Sequence, residues 1–65
     1  MAIMAKQFRR EYTDQDGDVL VVSGWPVVSG IVFETRRKGE KHGDPVELSD
    51  TEARELALFI LGRTK

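Results

Sequence analysis

Three segments of this chain carry side chains able to do chemistry: an acidic triplet, a basic run that holds the lone histidine, and a tryptophan–proline pair. Asp14-x-Asp16-x-Asp18 has the alternating carboxylates with which an EF-hand calcium loop begins. Such a loop needs glycine at its sixth position and glutamate at its twelfth. Val19 and Trp25 stand there instead, and Gly17 comes too early. The segment therefore reads as a turn, because Asp-Gly tolerates the positive φ that tight hairpins demand. No metal or cofactor is expected.

The run Arg36-Arg-Lys-Gly-Glu-Lys-His42 concentrates positive charge in Arg36, Arg37, Lys38 and Lys41, opposed within the run by Glu40. Arg9 and Arg10 would join it if the first and third strands were to pair. A basic hairpin tip of this kind can grip phosphate or enter a nucleic-acid groove. Against that, Asp44 and Glu47 follow closely, and no aromatic residue that would stack on bases is interleaved. A solvated loop that keeps a sheet edge soluble, a nucleic-acid site and a dock for an acidic protein all remain open.

Trp25-Pro26, after Gly24, places a large amphipathic ring at a turn. It serves either as an anchor for a protein partner or as a plug for one end of the core. Catalysis has no support. His42 lacks an orienting partner, there is no glycine-rich phosphate loop or nucleophile elbow, and cysteine is absent. The expectation is that the chain is not an enzyme.

These segments need elements to hold them. Lys6 to Thr13 alternates, with Phe8, Arg10 and Tyr12 on one face, as an exposed strand does. Val19 to Val22 is apolar on both faces and reads as a central strand. Ser23 to Pro26 interrupts it, and a further strand runs from Val27 to Arg36. Arg37 to Asp44 is a loop, and Pro45 to Leu48 is either a short edge strand or an extended lead-in. On this reading Val19, Val21, Ile31 and Phe33 compete with Leu20, Val22, Val28 and Val32 for the one sheet face that a helix can cover.

The last third is a helix. Ser49 and Glu52 have capping-box spacing, and Leu48 is placed to staple onto Ala53. Ala53, Leu56, Ala57, Ile60 and Leu61 form one stripe, whereas Leu58 and Phe59 point about 100° or more away from its centre. Gly62 suits a C-cap, or alternatively a close approach by a second helix. A helix apolar nearly all round needs cover on two sides. The expected fold is thus α+β: a small antiparallel meander of three to four strands with one C-terminal helix packed on one face.

Sixty-five residues make a single domain, 1–65, in which residues 1–5 are read as a disordered segment and Met4 as an alternative start. Domains of this size bury only about 60% of their unfolded surface, and this one has no disulfide to help. Association is the remaining route to stability. Ten basic residues against eleven acidic give no global pull toward polyanions. No run approaches the roughly 20 apolar residues of a membrane span, so a cytoplasmic protein without membrane contact is expected.

The segment Val46-Glu-Leu-Ser-Asp-Thr-Glu-Ala-Arg-Glu-Leu-Ala57 resembles the end of many small uncharacterised proteins of actinobacteria and their phages. In those, a V-x-L-[ST]-x-x-[EQ]-A-x-x-L-A stretch leads from a hairpin region into a terminal helix. The resemblance implies a short accessory product, phage- or mobile-element-encoded, that acts by binding, and it transfers no site residue. The resulting expectation is a non-enzymatic homo-oligomeric binding protein, a dimer being favoured, that modulates a host or phage macromolecule through protein–protein contact. Its oligomer interface would use Leu58, Phe59, Ile60 and Leu61, with Trp25 as a partner anchor. The alternative is a small nucleic-acid-binding regulator that uses Arg9, Arg10, Arg36, Arg37, Lys38 and Lys41.

Overall fold

The computed structural model describes residues 7–64. Four antiparallel strands, β1 (Phe8–Thr13), β2 (Val19–Trp25), β3 (Val28–Arg36) and β4 (Asp44–Leu48), form a meander sheet in the order β1-β2-β3-β4. One helix, α1 (Asp50–Arg63), follows and packs on the sheet. This is the expected α+β fold. The open choice at residues 45–48 resolves to a strand, since Leu48 pairs with Ile31 and Val46 with Phe33. The reading of residues 1–5 lies outside the described residues.

Each connection has a local cause. Between β1 and β2, the Asp14 carboxylate accepts the backbone N–H groups of Asp16 and Asp18 at 2.9 and 3.0 Å. Gly17, at φ +87°, supplies the left-handed residue that this turn requires. The acidic triplet is therefore turn chemistry: its first carboxylate is committed to the loop's own backbone. Ser23 to Pro26 does not interrupt β2 as expected. The strand runs on to Trp25, which pairs with Val28 across a Pro26-Val27 turn. The register slips between Ser23 and Trp25, and the extra residues on β3 surround Gly30, whose φ is +101°.

The register also corrects the expected division of apolar residues between faces. Val22 lies opposite Phe33 and Val21 opposite Glu34. Phe8, Arg10, Tyr12, Leu20, Val22, Ile31, Phe33, Val46 and Leu48 thus share one face, by the two-residue alternation of paired strands. The other face carries Arg9, Glu11, Val19, Val21, Val32 and Glu34. Pattern alone cannot fix such a division, because a slip of one residue sends every side chain to the opposite face.

The helix start is as its spacing dictates. Ser49 Oγ accepts the Glu52 N–H at 3.2 Å, and the Glu52 carboxylate accepts the Ser49 N–H at 3.0 Å. At the other end Gly62 is not the cap. The helix continues through it to Arg63, and Thr64 closes the turn by donating both its N–H and its hydroxyl to the Ile60 carbonyl, each at 3.1 Å.

Packing is sparse. The helix approaches β3 and β4 but neither β1 nor β2. Ala53 and Leu56 are half-buried, while Ala57, Ile60 and Leu61, assigned by periodicity to the same stripe, are exposed. Only the first turns dock, and the second half of the helix projects. Among the described residues Val21, 3% exposed, is the single buried apolar side chain.

Candidate interaction surfaces

Four consecutive apolar residues, Leu58 to Leu61, form the first surface. Leu58 and Phe59 are 65% and 66% exposed, and Ile60 is 48% exposed. Phe59 and Leu58 lie off the docked line of Ala53 and Leu56, so helix geometry alone puts them in solvent. Leu61 is off that line as well, whereas Ile60 falls on it and is exposed because only the opening turns of the helix dock. All four expected interface residues are therefore accessible.

The second surface lies at the Pro26-Val27 turn. Trp25 is 46% exposed and lines a shallow groove with Phe8, Val28, Ile31 and Asp50. The residue is thus partly covered and partly open to solvent, compatible with either expected role. Val27 and Val28 beside it are also exposed. Phe8 lies against Gly24, where an added Cβ would stand 2.5 Å from the ring, so β1 and β2 approach closely there. Phe8, Tyr12, Val27 and Val46 are exposed as well.

The third surface is the charged end of the sheet. A groove of about 920 Å³ opens there between the β1–β2 turn and the β3–β4 loop, lined by Tyr12, Asp14, Asp18, Arg36, Arg37, Glu40, His42 and Asp44 among others. Two of the expected basic residues are already paired. Arg36 donates to the Glu34 carboxylate at 2.7 and 3.0 Å, and Arg9 pairs with Glu11 at 2.9 Å. Strands β1 and β3 do not pair but flank β2, and Arg9 lies opposite Ser23 while Arg36 lies opposite Val19. Arg9 and Arg10 are thus toward the other end of the sheet and do not join the basic loop.

The loop itself is tied down by acids. Lys38 donates its backbone N–H to Asp18 at 3.0 Å and lays its aliphatic stem over Gly17. Glu40 accepts the Arg37 N–H at 2.9 Å. Glu34 accepts the Gly43 N–H at 3.1 Å, and that bond, followed by the one from Arg36, holds its carboxyl below the ordinary glutamate range. Arg37, Lys38 and Lys41 remain exposed, but Asp14, Asp18, Glu40 and Asp44 line the same groove as Arg37. The potential at this end is mixed rather than positive.

Among the described residues no three acidic or histidine side chains converge as a metal site would need, and no helix is long and apolar enough to cross a membrane. Compared with protein families, curated proteins and solved structures, the chain matches none.

Proposed function

We propose that this chain is a non-enzymatic binding protein that works as a homo-oligomer, most simply a dimer, and modulates another macromolecule through protein–protein contact. The observation that carries the reading is the contrast, among the described residues, between one buried apolar side chain, Val21, and the uncovered run Leu58 to Leu61.

A lone copy leaves this apolar run uncovered, and a second copy can cover it without any other molecule. Trp25 and its neighbours stand apart from the helix run and offer the surface for a different partner.

The nucleic-acid reading has less behind it, because the acidic turn faces the basic loop and because Arg9 and Arg10 lie elsewhere. It predicts a mobility shift at low salt that weakens steeply as salt is added.

Light scattering tests the main reading. The parent should show a dimer or larger at micromolar concentration, and Leu58→Asp with Phe59→Asp should give monomer. Fully burying a Leu or Phe side chain contributes about 1.5–3 kcal/mol, so the double change should weaken association at least 100-fold. A folded parent monomer at high micromolar concentration would overturn the proposal.

A further inference from the structure

β1 is the outermost strand on one side of the sheet, and all six of its residues are exposed. Among the described residues no element except β2 contacts it. Asp14 donates its N–H to the Asp18 carbonyl at 3.0 Å, and antiparallel pairs alternate between bonded and non-bonded. Phe8, Arg10 and Tyr12 therefore bond to β2, while Arg9, Glu11 and Thr13 turn their N–H and C=O groups to the open edge. Such an edge is a template for another strand, and proteins guard it with proline, bulges or charge. The opposite edge, β4, carries Pro45. β1 has no proline and keeps an unbroken register with β2, so its guards are the charges of Arg9, Arg10 and Glu11. Resting on the homo-oligomer reading, we propose that β1 of one copy pairs antiparallel with β1 of a second, about a twofold axis through Arg10.

Charge complementarity selects both the occupant and the register. A twofold pairing that joins outward backbone to outward backbone must centre on one residue. Centred on Arg9 or on Glu11, it sets that residue against its own copy and forms no opposite-charge pair within the strand. Centred on Arg10, it sets Arg9 against Glu11 twice on one face and Phe8 against Tyr12 twice on the other. The Arg9–Glu11 ion pair, 2.9 Å within each strand, then joins a network of four alternating charges, and two exposed rings gain cover. The two Arg10 side chains meet on the axis, which is unfavourable. Each also lies diagonal to the other copy's aromatic rings, where cation–π contact offsets the repulsion. A helix contact and an edge contact, each twofold, close a tetramer in which each reinforces the other. The edge is the weaker of the two and depends on the helix contact at micromolar concentration.

The chain has no cysteine, so an introduced one reports contacts without background. Arg10→Cys places its thiol on the axis, where facing Cα atoms lie about 4.5–5.5 Å apart, inside the roughly 7 Å that a disulfide spans. Phe8→Cys, also at an exposed position, stands four strand residues, or about 13 Å, from its own copy. Under mild oxidation Arg10→Cys should link to itself at least 10-fold faster than Phe8→Cys. Charge reversal gives a second measurement. Arg9→Glu and Glu11→Arg each set like charges across the edge, so each alone should stop at the dimer at high micromolar concentration, where the parent is tetrameric. An equimolar mixture restores both ion pairs and should regain the parent's mass. Equal linking rates for the two cysteine variants of a parent that oligomerises would overturn the edge pairing and leave the homo-oligomer reading intact. A mixture no heavier than its components would do the same. A parent monomeric at high micromolar concentration would remove both.

Discussion

The Asp50 carboxylate accepts the backbone N–H of Gly30 at 2.7 Å, tying the first residue of α1 to the irregular stretch of β3. Since the helix docks only through its opening turns, this bond sets where the helix leaves the sheet. Asp50→Ala removes it and also an acid from the favourable end of the helix dipole. The expected loss is about 1 kcal/mol, which for a domain of this size lowers the melting temperature by about 4–8 °C. Asp50→Asn retains an acceptor and should lose less. Equal melting of all three proteins would show that the contact does not anchor the helix.

Acid should loosen the β3–β4 loop. Glu34 takes hydrogen bonds from the Gly43 N–H and the Arg36 guanidinium, and both hold its carboxyl below the usual range in the folded chain. Glu52 is lowered in the same direction, chiefly by the Ser49 N–H in the capping box. A carboxyl depressed by folding contributes stability that is complete above its unfolded value, near 4.3, and is lost as pH falls through the folded value. Stability should therefore fall below about pH 4. Glu34→Gln should flatten part of that fall, and Glu52→Gln should do the same while keeping a capping-box acceptor. Urea midpoints measured from pH 3 to 7 decide it; an unchanged slope in Glu34→Gln would refute the assignment.

Local chemistry wrote most of this fold into single short segments, and those parts were legible. Ser49 and Glu52 announced the helix start, Asp14 to Asp18 the first turn, and the valine-rich runs the central strands. Properties that depend on two segments at once were not legible. Whether Phe33 joins Val22 or Val21 is a matter of register, which the slip beside Trp25 helps set. Whether Ile60 is covered depends on how many turns of the helix dock, and periodicity carries no such count. The basic candidates divided for the same reason: Arg9 and Arg36 look alike in composition, but strand order separates them and gives each its own glutamate.

Two glycines should respond very differently to a single methyl group. At Gly43 an added Cβ would collide with the backbone carbonyl of Thr35, part of β3, which has no freedom to withdraw. Gly43→Ala should cost about 1–3 kcal/mol, the range for forcing extra volume into a closed site, and in a fold with so little buried apolar surface among its described residues that approaches unfolding. At Gly24 the obstacle is the ring of Phe8, near the start of β1, which can swing away. Gly24→Ala should therefore cost less and should instead expose more of Phe8. Melting curves of the pair test the ranking; a milder effect at Gly43 than at Gly24 would contradict the close β3–β4 approach.

Gly62 is a glycine inside a helix with open space around it, since an added Cβ would meet nothing within 4 Å. In an exposed helix, alanine is better than glycine by about 0.5–1 kcal/mol, because glycine has more backbone freedom to lose. At dilution, where single copies dominate, Gly62→Ala should raise helix content and the melting temperature by a few degrees. At high concentration the sign depends on what lies over Gly62. A methyl facing solvent keeps its gain, whereas one pressed against a partner's backbone weakens association and offsets it. Melting scans across a 100-fold concentration range separate the two, and a loss of stability even at dilution would mean that the helix does not extend through residue 62.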